Sequence, residues 1–241
     1  MSEMMLTSPI LLRGVTLDWA AHWRWTWKFF SGMQEQKLAL SNASGEFEVE
    51  VPVCEYIQAL KSGEGKLAGL YASGWRFFEQ NPDMLKDFSE PVPVVDDLLQ
   101  SIPEKLFKPL LWIFIGADCS GTALHYDALE THAWLAVIEG KKRLALHPPT
   151  CWDHKYEQQR AQALQVLKKR CDKGAWYYLE INKGDLLFIP TTWWHEVANE
   201  GPTISLTRNF ASPEIAHQVA QCARALEFHQ LLPWLEGRKI P

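Results

Sequence analysis

The chain has 241 residues, 47% of them hydrophobic, and 24 basic against 29 acidic residues give a formal net charge of −5. This length and apolar content suffice to bury one substantial core. The acidic balance, with no dense basic run, gives no support for nucleic acid as a partner. The five cysteines form no CxxC pair, which argues against a zinc ribbon and against a disulfide framework.

The ends and the hydropathy of the chain favour an intracellular protein. An acidic residue, Glu3, stands near the N-terminus, where a secretory signal carries basic residues. No stretch approaches the roughly 20 apolar residues of a membrane span. We therefore expect a soluble intracellular chain with no membrane partner, in either the cytoplasm or the nucleus.

Residues 1–109 predict a mixed α/β half. The segment SPILLRG predicts a first strand that ends at Gly14, and the spacing of Trp19, Trp23 and Trp27 predicts one helix after it. EFEVEVPV alternates acidic and apolar residues, as a half-buried strand does, and VCEYIQALKSG predicts a short helix ended by glycine.

Residues 110–210 predict a β-barrel core, because apolar runs there alternate with turn signals. LLWIFIGA predicts a buried strand, and AWLAVIEGKKRLALHPP predicts two strands around Gly140. WYYLEINKGDLLFIP predicts a hairpin that turns at residues 182–185, and TISLTRNF predicts a last strand. A polar, helix-favouring insertion occupies about residues 154–174.

Residues 211–241 predict a C-terminal helix with Ser212 as N-cap and Pro213 in its first turn. Its apolar residues recur at helical spacing, and two uses for them remain open. They cover an open edge of the barrel, or they pair with a second copy in a homodimer to which Leu231, Leu232 and Trp234 contribute. No shift in composition divides the chain, so we expect one domain over residues 1–241.

The segment GTALHYD places His125 and Asp127 two positions apart. In a strand these side chains share one face, and together with a second histidine they form the 2-His-1-carboxylate set that binds non-haem iron. His195, after the apolar run and paired tryptophans of GDLLFIPTTWWH, is the best candidate for that histidine. The alternative is a surface histidine beside an acid that caps a turn.

The strand TISLTRNF carries a polar face formed by Thr203, Ser205, Thr207 and Asn209. An outward polar face would make this a plain surface strand, whereas an inward one would line a polar cavity for a small anionic co-substrate. Lys142 could pair with the distal carboxylate of such a molecule. Its alternative role is that of a solvated turn lysine.

Together these motifs resemble the JmjC/cupin-8 family of Fe(II)- and 2-oxoglutarate-dependent oxygenases, and are most similar to its Jumonji-domain lysyl hydroxylases and small bacterial-type members. The resemblance runs through WIFIG, SGTALHYDALETHAWLAVIEGKKRLALHPP, GDLLFIPTTWWHEVAN and TRNFAS, and extends into the N-terminal half. It implies a mostly β fold with flanking helices, a double-stranded β-helix of the jelly-roll or cupin type. It also implies Fe(II) as metal, 2-oxoglutarate as co-substrate and dioxygen as oxidant.

The resemblance assigns roles to particular residues. His125, Asp127 and His195 match the iron ligands, and Lys142 matches the lysine that binds the far carboxylate of 2-oxoglutarate. Further positions that match the co-substrate pocket are Thr122, Thr207 and Asn209.

Two positions depart from the family pattern. Leu135 replaces an asparagine that often follows the tryptophan of HAW, and Leu110 or Leu111 replaces a tyrosine that often precedes the WIFIG-type strand. Both replacements remove groups that would hydrogen-bond the co-substrate. His132 and His147 lie nearby in sequence, and for them we expect core or surface roles.

The resemblance favours hydroxylation of a protein or peptide side chain, with N-demethylation as a lesser outcome. One alternative is the same chemistry on a small metabolite or on a modified tRNA base. Another is a cupin-like protein that binds ligands without turnover.

Overall fold

Ten strands form the framework of the computed structural model, which describes residues 7–42, 44–91, 96–149 and 176–237. The strands are β1 (Ile10–Leu12), β2 (Lys37–Ser41), β3 (Phe47–Pro52), β4 (Tyr71–Trp75), β5 (Leu111–Gly116), β6 (Gly121–His125), β7 (His132–His147), β8 (Tyr177–Asn182), β9 (Leu186–Ile189) and β10 (Trp194–Phe210). The helix predicted at residues 154–174 lies outside the described residues.

Short helices flank these strands. The α-helices are α1 (Ala21–Arg24), α2 (Trp27–Ser31), α3 (Val53–Ser62), α4 (Gly65–Ala68), α5 (Phe77–Gln80), α6 (Ala216–Ala225) and α7 (Leu232–Leu235). Turns of 3-10 helix occur at Pro82–Asp87, Leu98–Ser101, Ala128–Glu130, Pro213–Ile215 and His229–Leu231. Among the described residues, no helix combines the length and the apolar character needed to cross a membrane.

The long strands β7 and β10 turn the sheet into a jelly-roll. The two strands pair with each other along most of their length, with a shift in register between Glu200 and Ile204. The strand on the other side of β7 differs between its two halves. The first half of β7 lies between β9 and the second half of β10, and its second half lies between β8 and the first half of β10. Two layers therefore face each other, and this confirms the predicted mostly β, double-stranded β-helix architecture.

Gly140 makes the bend in β7 sterically accessible. Its φ of +82° lies in the left-handed region that favours glycine. A Cβ at this position would also come within 2.4 Å of the Pro202 carbonyl oxygen on β10. The two strands predicted around Gly140 are thus one continuous bent strand.

Apolar residues of the N-terminal half pack against residues of the central strands in the main buried core. Trp19 packs edge-on against Trp134 of β7, with ring centroids 5.9 Å apart. Trp25 and Phe30 are also almost fully buried in this core. The inward faces of the two layers leave space for a cavity.

Two of the predicted secondary-structure arrangements were wrong in detail. The predicted helix around Trp19–Trp27 is two helices, because Thr26 is extended and its hydroxyl caps α2 by accepting from the Phe29 amide at 3.1 Å. Trp23 is consequently 61% exposed. The predicted hairpin turns where expected, but β8 and β9 both pair with β7 and not with each other.

The C-terminal helix packs inside the chain. Val219, Cys222 and Leu231 are fully buried in a cluster with the 3-10 turn at Leu98–Ser101, which favours the first of the two uses considered above. Pro213 begins the segment, but Ser212 makes no side-chain cap. A homodimer through this region stays a prediction, and in its described part, up to residue 237, the exposed large apolar residues are Leu226 and Phe228, at 38% each.

Replacing Asp87 by alanine should lower the free energy of unfolding by about 2–3 kcal/mol, because a buried donor would lose its acceptor. The Asp87 carboxylate is 1% exposed and accepts from Arg24 Nη1 at 2.6 Å and from the buried Trp25 Nε1 at 2.7 Å. Urea unfolding followed by tryptophan fluorescence measures the change. Asp83→Ala removes an exposed carboxylate from the same 3-10 turn and should leave the midpoint unchanged.

Candidate metal centre

The two predicted histidine ligands face each other across a strand pair. His125 at the end of β6 is the register partner of His195 at the start of β10, and their ring centroids lie 4.2 Å apart. A shift in register follows His195, so that Val197 pairs with Thr122. The strands thus bring together residues that are far apart in sequence.

Backbone carbonyls fix the orientation of both imidazole rings. His125 Nδ1 lies 2.8 Å from the Ala123 carbonyl oxygen, and His195 Nδ1 lies 3.0 Å from that of Trp193. A carbonyl oxygen only accepts, so each Nδ1 carries the proton and each Nε2 presents a lone pair. Such contacts favour the tautomer that a metal ligand needs, and no pattern in the sequence identifies them.

Asp127 supplies the third group. Its Oδ1 accepts from Asn209 Nδ2 at 2.8 Å, whereas its buried Oδ2 has no hydrogen-bond partner among the described residues and lies 3.9 Å from His195 Nε2. Burial raises the pKa of this carboxyl, and the nearby His195 and the Asn209 hydrogen bond partly oppose that effect. An unsatisfied buried carboxylate oxygen is costly, and a cation here would remove that cost.

The residues fit a metal ion. His125, Asp127 and His195 each offer a ligand atom, and these three atoms lie within 4.8 Å of one another. Two imidazole nitrogens and one carboxylate oxygen on one side of an ion leave its other positions open, which is the arrangement of the non-haem Fe(II) facial triad. The structure thus brings together all three predicted ligands.

A cavity of about 370 Å³ extends from the triad between the two layers. Every other predicted site residue lines it: Thr122, Lys142, Thr207 and Asn209. The polar face of TISLTRNF therefore points inward, as the cavity interpretation requires, and the surface-strand alternative is wrong. Ser73 and Ala128, both exposed, mark where the lining reaches solvent.

Lys142 is a buried cation in this cavity. It is 1% exposed, and its Nζ donates to Asn199 Oδ1 at 2.8 Å and to Tyr71 Oη at 3.3 Å. Among the described residues, no carboxylate forms an ion pair with it, and burial lowers its pKa to about 7. The solvated-lysine alternative is therefore wrong for Lys142, whereas the neighbouring Lys141 is half-buried and forms ion pairs with Glu180 and Glu200.

Tyr71 is a site residue that the sequence analysis missed. Its hydroxyl contacts Lys142, it takes a side-chain hydrogen bond from Thr122, and burial raises its pKa. Leu110, one of the two positions suspected of lacking a tyrosine, lies instead in the cluster under the C-terminal helix, and Leu111 lies in the main core. A phenol is thus present beside the lysine, supplied by β4.

Asn209 and Thr207 occupy the same inward row of β10 but have different surroundings. The Asn209 amide is engaged by Asp127 and by Thr131 Oγ1, at 2.8 and 3.0 Å, so that it holds the metal ligand in place. Thr207 is the register partner of Leu135. Leu135 lines the cavity, so the departure from the family pattern at this position removes a polar group from its wall.

The two additional histidines lie outside the cavity lining. His132 is 4% exposed between the rings of Phe188 and Phe210, and burial lowers its pKa to about 4. His147 is 6% exposed and packs edge-on against Trp176. The expected core role is confirmed for both.

Comparison with known proteins agrees with this geometry. The family described as "Cupin-like domain" matches residues 3–214. The chain therefore belongs to the cupin-like domain family, and the family resemblance read from its motifs is confirmed.

The curated proteins that resemble this chain are named as hydroxylases, demethylases or 2-oxoglutarate and iron-dependent oxygenases. The chain is 29% identical over 229 residues to a protein of Caenorhabditis briggsae named bifunctional arginine demethylase and lysyl-hydroxylase psr-1, covering 88% of this chain and 58% of that protein. It is 26% identical over 176 residues to the 2-oxoglutarate and iron-dependent oxygenase JMJD4 of Danio rerio, covering 66% and 42%. A lysine-specific demethylase of Arabidopsis thaliana, JMJ21, is 26% identical over 222 residues, covering 86% and 23%. The chain thus spans little more than half the length of the first of these relatives, and less of the other two.

Proposed function

We propose that the chain is an Fe(II)- and 2-oxoglutarate-dependent oxygenase that hydroxylates a side chain of a protein or peptide. One observation carries this proposal: a 2-His-1-carboxylate triad lines the same cavity as a buried lysine that forms no ion pair with any described residue. A metal alone would not require the lysine, and an anion-binding pocket alone would not require the triad. A metal-chelating dicarboxylate requires both.

When bound, iron and 2-oxoglutarate would supply the oxidising chemistry: one atom of dioxygen would enter a C–H bond of the substrate and the other would enter the succinate formed, with carbon dioxide, from 2-oxoglutarate. The contribution of the protein is geometric and electrostatic. Carbonyl oxygens of Ala123 and Trp193 aim the imidazoles, Asn209 holds Asp127, and the buried Lys142 holds the distal carboxylate.

Two observations support a protein or peptide side chain as the substrate: the names of the similar proteins and the opening of the cavity to solvent. The names of the similar proteins above describe action on arginine or lysine, or a 2-oxoglutarate and iron-dependent oxygenase. In this chain the cavity reaches solvent beside the exposed Ser73 and Ala128, so that a single side chain could enter while its backbone stays outside. We therefore place hydroxylation of a peptide side chain ahead of chemistry on a metabolite or a tRNA base.

The test is turnover of 2-oxoglutarate by the purified chain with Fe(II), followed as succinate by NMR, in the presence of a cellular peptide digest. Isotopically labelled dioxygen shows by mass spectrometry which peptides gain an oxygen atom. We expect iron-dependent succinate formation and labelled peptides with the wild type, and neither with His195→Ala.

His147→Gln is the matched control, because His147 is a buried histidine next to β10 that does not line the cavity. It should keep the wild-type rate. Succinate without a labelled peptide would contradict the peptide substrate and favour the metabolite or tRNA alternative. Binding of both iron and 2-oxoglutarate without any succinate would favour the alternative of a protein that binds without turnover.

A further inference from the structure

Ser205 is a buried hydroxyl that the arrangement described so far leaves unused. It lies on the inward row of β10, it is 0% exposed, and it lines the cavity. Among the described residues, its Oγ has no hydrogen-bond partner. Buried hydroxyls are nearly always paired, so an unpaired one that points into a cavity marks a place for a polar ligand group.

The neighbours of Ser205 across the sheet cannot supply that pairing. On β7, the register partners of Asn209, Thr207 and Ser205 are Ala133, Leu135 and Val137. Opposite Ser205 the first half of β7 is therefore apolar, whereas Lys142 lies in the second half of the same strand. Between the first half of β7 and β10, the polar groups available to a ligand lie on β10.

The β10 row also runs from the metal end of the cavity to the lysine end. Asn209 contacts Asp127, which marks the metal end. Residues two apart in a strand are about 6.6–6.8 Å apart, so Thr207 and Ser205 lie roughly 7 and 13 Å along the strand from Asn209. A dicarboxylate that binds the metal by one end would extend along this row in the direction of Ser205.

Tyr71 and Asn199, the two hydrogen-bond partners of Lys142, lie together beside Gly116 of β5. A Cβ on Gly116 would lie 2.5 Å from the Tyr71 ring and 2.8 Å from Asn199 Nδ2. Gly116 pairs with Thr203, and Phe114, the next inward residue of β5, pairs with Ser205. The Phe114 ring lies 5.9 Å from that of Tyr71. Ser205 is thus one inward position away from the group that holds the lysine.

We propose that Ser205 donates a hydrogen bond to the distal carboxylate of bound 2-oxoglutarate and replaces the polar contact that Leu135 lacks. This inference rests on the proposed function. The carboxylate accepts from the Lys142 ammonium of the second half of β7 and from the Ser205 hydroxyl of β10. The buried hydroxyl gains its missing partner only when the co-substrate is bound.

Calorimetry tests the inference with Mn(II) in place of iron, comparing 2-oxoglutarate with 2-oxopentanoate, which lacks the distal carboxylate. Ser205→Ala should weaken 2-oxoglutarate binding about ten- to a hundredfold, the usual range for a hydrogen bond to a charged group. It should change 2-oxopentanoate binding less than about twofold, because that ligand lacks the acceptor. The melting temperature of the ligand-free variant should equal or exceed that of the wild type, because the variant removes an unpaired buried group.

Thr203→Val is the matched control, since the Thr203 hydroxyl on the same strand donates to backbone carbonyls of Lys141 and Gly201 and does not line the cavity. It should lower the melting temperature and leave the 2-oxoglutarate affinity unchanged. Equal affinities of wild type and Ser205→Ala for 2-oxoglutarate, or an equal loss for both ligands, would overturn the inference alone. A wild type that binds metal but no 2-oxoglutarate would overturn the proposed function and the inference together.

Discussion

Asp127→Asn is expected to abolish metal binding while making the metal-free protein more stable. The amide keeps an oxygen that can accept from Asn209, but it places an NH₂ group where Oδ2 would contact the ion. Loss of one of three protein ligands should weaken metal affinity at least about 100-fold, since even outer-shell changes cost 10- to 100-fold. In the metal-free protein the same change removes a buried carboxylate oxygen that has no partner among the described residues.

Thermal unfolding with and without Co(II) or Mn(II) separates the two effects. The wild type should melt higher when metal is added, and Asp127→Asn should melt higher than the wild type without metal and show no response to it. Each kcal/mol regained should raise the melting temperature by about 2–4 °C in a chain of this size.

Asp97→Asn provides the contrast, because Asp97 is equally buried but fully satisfied. Its Oδ1 accepts from the amides of Leu99 and Ala211, and its Oδ2 accepts from Arg208 Nη2 at 2.9 Å. Asp97→Asn should therefore melt lower and retain its metal response. A lower melting temperature of metal-free Asp127→Asn would show that Asp127 is a structural carboxylate and would count against the metal centre.

The sequence predicted the metal ligands from the i, i+2 spacing of His125 and Asp127, from the apolar run before His195 and from the family resemblance. In the structure β6 ends at His125 and Asp127 follows it, before the 3-10 turn. The polar alternation of TISLTRNF predicted the inward row of β10, which is buried. These signals are local. The structure adds only the pairing that brings His195 opposite His125.

The rest of the site depends on which strands become neighbours, and no local pattern encodes that. Tyr71 sits in the segment YASGW, which reads only as a strand, and its role arises because β4 pairs with β5. The β8–β9 hairpin was wrong for the same reason, since a turn at residues 182–185 does not determine whether the strands pair with each other or with β7. The broken helix at Thr26 differs, because there a capping hydroxyl outweighs the tryptophan spacing.

Binding of 2-oxoglutarate is expected to weaken as the pH rises above about 7 and to be coupled to uptake of a proton. Burial lowers the pKa of Lys142 to about 7, so that above this pH the amine is mostly neutral in the free protein. A bound carboxylate favours the ammonium form, and the protein must then take up a proton to bind. The affinity should be nearly flat below pH 7 and fall up to about tenfold per pH unit above it.

Other groups in the cavity should not produce this dependence. Burial raises the pKa of Tyr71, which stays neutral. The remaining titratable groups of the described lining are the phenol of Tyr126 and the three metal ligands, and saturating Mn(II) occupies those ligands. Calorimetry between pH 6 and 8.5, in buffers of different ionisation enthalpy, counts the protons. We expect close to one proton taken up at pH 8 and close to none at pH 6.

Lys142→Arg and Lys142→Ala complete the comparison. Arginine stays charged over this range, so Lys142→Arg should bind more weakly than the wild type but with no pH dependence and no proton uptake. Lys142→Ala should lose at least about 100-fold in affinity, since it leaves the carboxylate without its cation in a buried site. A wild type that takes up no proton at pH 8 would mean that the lysine is already charged in the free protein. Lys142 would then already be paired with another anion in the cavity before 2-oxoglutarate binds.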